Sequence, residues 1–240
     1  MTDQQPPKLS LKQRSQAEML YLILGGLFIT SLVTSNLIFQ KFFFWNPLGL
    51  FRFELSVGII AYPVTFLVTD IVSEVYGKRR ANFLVIAGIF ASAFALLIVI
   101  VSTLAPATEW SPLSDAEFKK AFAFTFLAVG ASLAAYLTAQ FIDVHVFHFW
   151  KGVTNGKHLW IRNNLSTFTS QFVDTVTVLT LLCSFGVIEW ELFPKLLGNG
   201  YLFKAIVALL DTPFAYLGVY GLRRFFGLKG HGAELNLDEQ

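Results

Sequence analysis

Six apolar stretches, each long enough to cross a bilayer, dominate the chain and fix the class of structure it can adopt. They run over about 18–40, 53–76, 82–105, 119–147, 166–188 and 199–222. A helix needs about 20 mostly apolar residues to span hydrocarbon. None of the stretches has the two-residue alternation of a barrel strand, and glycine and proline fall mostly between them. Charge agrees: only 14% of the 240 residues are charged, against about 25% in a typical globular chain. That is too little to cover a soluble enzyme, and the aromatic content of 16% is too high for a disordered chain. A net charge of +2 gives no basic surface for nucleic acid. The single cysteine, Cys183, excludes an intramolecular disulfide framework and any multi-thiolate metal site. The expected class is all-α, a polytopic membrane protein with six transmembrane helices.

Basic residues in short loops set orientation. Lys8, Lys12 and Arg14, then Lys78, Arg79 and Arg80, then Lys151, Lys157 and Arg162, then Arg223, Arg224 and Lys229 put twelve on one side. The other side has five: Lys41, Arg52, Lys119, Lys120 and Lys195. Both termini are therefore expected in the cytoplasm, consistent with an even number of spans. The division is a tail over 1–17, a transmembrane unit over 18–225 and a second tail over 226–240, both tails short and disordered. The first span is too long for a signal-peptide core and is read as retained. No GxxxxGK[ST] phosphate loop occurs.

Ionisable groups in hydrocarbon cost at least about 2.5–3.5 kcal/mol each, so those within spans need a reason. They are Asp70, Glu74, Asp143, Asp174, Lys204 and Asp211, accompanied by Asn36, Gln140, Gln171 and Thr175. Asp70 and Glu74 are four apart; Gln140 and Asp143, and Gln171 and Asp174, are three apart, so each pair shares a helix face. These faces should turn to the bundle interior, with all three pairs near the cytoplasmic third. An amide and a carboxylate on one face can bind one polar solute: the carboxylate accepts from adjacent N–H groups and the amide serves a carbonyl. The alternative is that each pair bridges helices structurally. Lys204 either snorkels or pairs inside the bundle. Pro213 frees the carbonyl of Leu209 and bends the last span. His145 and His148 share a face, but no third ligand is arranged around them, so no metal or cofactor is expected.

Several of these residues also carry a resemblance. Asn36, the run Thr65-Phe-Leu-Val-Thr-Asp70 with Glu74-Val-Tyr-Gly77, the string Gln140-Phe-Ile-Asp143-Val-His-Val-Phe147, Asp174-Thr175 and Lys204 resemble the queuosine-precursor transporter family, also described as vitamin-uptake-like. The likeness covers about residues 20–225. It implies an inner-membrane importer of 7-deazaguanines (7-cyano-7-deazaguanine, 7-aminomethyl-7-deazaguanine, queuine) for tRNA modification, not an enzyme. It also implies a fold related to the six-helix substrate-binding subunits of energy-coupling-factor vitamin importers. The candidate substrate residues are Asn36, Asp70, Glu74, Gln140, Asp143, Gln171, Asp174, Lys204 and Asp211. A flat 7-deazaguanine suits them: its N1–H and N2–H2 edge fits a carboxylate, and its O6 fits an amide or lysine.

The sequence leaves open whether the chain works alone with an aspartate taking protons, as a homodimer, or as a binding subunit with a separate ATPase module. An intramembrane aspartyl protease is disfavoured, since the Tyr-Asp and Gly-x-Gly-Asp signatures are absent.

Overall fold

The computed structural model describes residues 9–39, 41–49, 52–123, 126–186, 188–228, 233–235 and 237. Lys8 and Lys229 of the charge count lie outside these. Helix α1 (Leu11–Ile38) starts on a capping box in which Ser10 and Gln13 satisfy each other's amides. Strands β1 (Phe42–Trp45) and β2 (Phe53–Ser56) form an antiparallel hairpin with Trp45 opposite Phe53. Then come α2 (Tyr62–Val75), α3 (Gly77–Leu104), a four-residue helix α4 (Asp115–Phe118), α5 (Phe126–Val153), α6 (Leu159–Ser184) and α7 (Phe193–Phe226).

The chain is mostly helical, and among the described residues four helical segments are long and apolar enough to cross a membrane: Leu11–Ile38, Val57–Val75, Gly77–Leu104 and Trp190–Phe226. Two expectations are corrected. The mostly helical class is joined by a small sheet, because Phe42–Trp45 and Phe53–Ser56 pair as strands. The second apolar stretch is not one helix over 53–76: it opens as β2 and a 3-10 turn, and its α-helix begins only at Tyr62. Pro63 explains the late start. Its ring cannot sit in a helix interior, but in the first turn no amide hydrogen is needed.

Helix α6 contacts both α5 and α7, and α2 also packs on α7. Close approach is built from small residues, as expected between membrane helices. A Cβ on Gly88 would lie 2.7 Å from the Phe28 ring, where α3 crosses α1, and one on Gly218 would lie 2.7 Å from Ile71, where α7 crosses α2. Polar ties add to this: Asn164 Nδ2 donates to Thr212 Oγ1 at 2.8 Å between α6 and α7, and Tyr76 Oη donates to the Ala17 carbonyl at 2.9 Å. Phe203 of α7 packs against Trp45 and Phe53, at 5.3 and 5.8 Å between ring centroids, so the hairpin covers one end of the bundle.

The opposite end carries the start of α1 and the described C-terminal residues 233–235 and 237. Here the second tail departs from the expected disorder at its described residues. The Leu235 amide donates to the Val75 carbonyl at 2.7 Å, Arg14 donates to the Leu237 carbonyl at 2.9 Å, and Leu235 and Leu237 are buried. Helix α7 continues unbroken past Pro213. On the connection before α5, the Ser114 amide and hydroxyl donate to Glu117 and hold its carboxyl below the usual range.

Candidate functional site

The helix α2 buries an entire polar face: Thr65, Thr69, Asp70, Ser73 and Glu74. Glu74 is 1% exposed and meets three cations from three other helices. Arg162 of α6 reaches Oε1 at 2.5 Å, Arg223 of α7 reaches the same oxygen at 3.0 Å, and Lys151 of α5 reaches Oε2 at 3.5 Å. Arg162 also donates to the Lys157 carbonyl at 3.0 Å and lies over the Phe147 ring. Lys151 is shared with Glu234 of the C-terminal segment at 2.7 Å. A cavity of about 770 Å³ opens beside this cluster, lined by Glu74, Arg162, His158, Tyr216, Arg223 and Arg224 among others.

One turn along α2, Asp70 faces α5 instead. Its carboxyl lies near that of Asp143, which accepts from Ser170 Oγ at 2.9 Å. Both aspartates are fully enclosed. Gln140, on the same face of α5, sets its amide nitrogen 3.4 Å from Thr69 Oγ1. Among the described residues, Asp70 Oδ1 and Gln140 Oε1 have no hydrogen-bond donor.

The third constellation lies nearer the hairpin. Lys204 of α7 donates to Asp174 Oδ2 at 2.5 Å and stands over the Tyr62 ring. Beside it is a narrow pocket of about 20 Å³, room for a water-sized group, lined by Tyr62, Phe66, Thr167, Gln171, Phe203, Lys204 and Asp211 together with neighbouring apolar side chains. Thr167 Oγ1 and Gln171 Oε1 are buried there without a partner among the described residues. Such atoms are costly to bury unless something serves them.

The expected residues are thus divided among three levels. Gln171, Asp174, Lys204 and Asp211 belong to the pocket level, Asp70, Gln140 and Asp143 to the middle layer, and Glu74 to the ion cluster. Asn36, on α1, is not among the pocket-lining residues. Asp174 does not share the level of Asp70 and Glu74. It lies one turn past Ser170, the residue that touches Asp143, on the hairpin side. His145 sets its Nδ1 on the Phe141 carbonyl at 2.6 Å. Sequence reasoning missed Lys151, Arg162 and Arg223, which it counted as loop charges. A signal was present: Arg162, Ser166, Ser170 and Asp174 recur every four residues, one continuous stripe of α6, and all four are buried.

Residues 56–218 match the family model described as "Putative vitamin uptake transporter". The "Probable queuosine precursor transporter" of Bacillus subtilis is 29% identical over 70% of this chain and 72% of its own length. The "Queuosine precursor transporter" of Escherichia coli is 24% identical over 73% of this chain and 76% of its own. The Haemophilus influenzae protein, a "Probable queuosine precursor transporter", is 26% identical over 69% of this chain and 68% of its own. No solved structure matches. With the family model covering well over half of its length, this chain belongs to the vitamin uptake transporter family and is a membrane transporter rather than an enzyme.

Proposed function

We propose that the chain imports queuosine precursors, the 7-deazaguanines, across the cell inner membrane through six spans: α1, α2 with the turn before it, α3, α5, α6 and α7. Both termini and the Glu74 cluster face the cytoplasm in this reading, and the hairpin faces outward. The pocket carries the proposal. It combines unsatisfied polar atoms on Thr167 and Gln171 with a lysine, a carboxylate and three aromatic rings. Asp211 takes the N1–H and N2–H2 edge, Lys204 and the Gln171 amide take O6, and Tyr62, Phe66 and Phe203 supply faces for stacking. At about 20 Å³ the pocket is too narrow for a purine-sized base, so α7 and the hairpin move apart to admit it.

Uptake of labelled 7-cyano-7-deazaguanine into cells lacking their own biosynthesis tests this directly. Cells carrying the chain should accumulate label, and Asp211→Asn and Lys204→Met should each abolish most of it while expression persists. Analogues without the 2-amino group should compete roughly 10-fold to 1000-fold less well, because the carboxylate is left underpaired. Equal competition by guanine, hypoxanthine and adenine analogues would remove Asp211 from base recognition.

A further inference from the structure

The cavity of about 770 Å³ lies at the ends of two helices, and its surroundings carry more positive charge than Glu74 can answer. One wall is the first turn of α6, with His158, Leu159 and Trp160; the other is the end of α7, with Tyr216, Tyr220 and Arg223. The walls are tied where the Trp160 amide donates to Tyr216 Oη at 3.1 Å. Helix α6 starts without a side-chain cap, so the positive end of its dipole is presented to the cavity. Arg162, 1% exposed, lines the same wall, and its Nε has no acceptor among the described residues. Four cations, Lys151, Arg162, Arg223 and Arg224, stand here against the two carboxylates of Glu74 and Glu234. Arg224 is exposed and makes no ion pair among the described residues. Such a cavity suits an anion.

The surface of α7 says where the anion comes from. Leu210, Phe214, Leu217, Gly221 and Arg224 recur at spacings of four and three, forming one exposed stripe that ends at the cavity rim. A Cβ on Gly221 would meet nothing within 4 Å, so the stripe is open one turn before Arg224. Trp160, Tyr220 and Phe225 are exposed around the rim, as aromatic side chains are at the boundary between acyl chains and headgroups. A soluble anion would have no use for this apolar track. We propose that the cavity binds the phosphate headgroup of an anionic phospholipid, with an acyl chain lying along the Leu210–Leu217 stripe. Arg224, Arg162 and the α6 N-terminus attract the phosphate, as basic pockets between membrane helices do. A zwitterionic lipid brings an ammonium group that the same arginines repel. The bound lipid braces α6 against α7 from outside, where Glu74 already joins them from inside. The site does not depend on what the chain transports.

The full chain in phosphatidylcholine vesicles tests this, with a small fraction of the lipid brominated near the top of its acyl chains to quench nearby tryptophan. Trp160→Phe, which keeps the backbone amide that meets Tyr216, isolates the Trp160 share of the emission from that of the other tryptophans. Brominated phosphatidylglycerol should quench Trp160 with an apparent affinity at least about fivefold above that of brominated phosphatidylcholine, the contribution of one arginine near an anionic headgroup. Arg224→Gln should lower that preference by about the same factor. Arg79→Gln, an exposed arginine at the start of α3, should leave it unchanged. Equal quenching by the two lipids would overturn the proposal, and this comparison needs no variant. An equal loss in Arg79→Gln would assign the preference to diffuse surface charge and overturn the site as well. Inorganic phosphate at millimolar concentration, added to lipid-free chain in detergent, should leave Trp160 emission unchanged. A saturable response there, with no preference between the lipids, would give the cavity to a soluble phosphate instead.

Discussion

Asp70 and Glu74 sit one turn apart on the same face of α2, and both are almost completely enclosed, yet they live in opposite electrostatic worlds. Glu74 binds cations from α5, α6 and α7. Asp70 meets another carboxyl. The first arrangement is a strut. Its charge is overcompensated, and moving any of the four helices breaks an ion pair inside low-dielectric surroundings. The second lacks that brace, since the charged groups acting on it, Asp143, Asp211 and Glu74, are acidic. Burial alone therefore does not fix what holds a carboxylate in place; the sign of its neighbours does.

The strut half of this contrast breaks most visibly at Arg162. Arg162→Ala takes one of three cations from Glu74 and removes the contact with Phe147, so thermal unfolding in detergent should show a loss of about 1.5–3 kcal/mol. Arg162→Lys should recover part of it, since an ammonium cannot span both Glu74 and the Lys157 carbonyl. A variant that melts like the native chain would mean the cluster holds nothing together. Asp70→Asn should be milder, within about 1 kcal/mol, because asparagine keeps the shape and removes a negative charge placed near other acidic groups. If it destabilises the fold as much as Arg162→Ala, the two carboxyls are not different in kind. The smallest effect belongs to Glu234→Gln. Its side chain is 40% exposed and Lys151 keeps Glu74, so the same melting experiment should shift by less than about 1 kcal/mol.

Much of this was legible in the chain itself. The spacing of Asp70 with Glu74 and of Gln140 with Asp143 places both pairs inside the bundle, and the cost of charge in hydrocarbon is reason enough. Lys204 pairing inside the bundle was one of two readings its position allowed; that its partner is Asp174 needed the structure. The hairpin was not legible. Phe42–Trp45 and Phe53–Ser56 are short runs flanking an Asn-Pro-Leu-Gly turn, and what holds them is Phe203, about 150 residues later. Arg162 was hidden by a rule that works on loops: a basic residue near the end of a span counts toward orientation whether it ends in water or in an ion cluster. The C-terminal segment was hidden for a similar reason, since Leu235 and Leu237 find their apolar partners only in the assembled core.

That double accounting has a consequence for how the molecule is made. Under the proposed topology, Lys151, Arg162 and Arg223 are retained on the cytoplasmic side as bare charges while the chain is threaded into the bilayer, before any partner is in place. Only when α2, α5, α6 and α7 have gathered does Glu74 pair with them. A chain with Glu74→Gln would be threaded in the correct sense and stall afterwards, because the carboxylate that draws α6 and α7 onto α2 is gone. Its fate would be degradation of a correctly oriented but unassembled protein, a failure of assembly rather than of insertion.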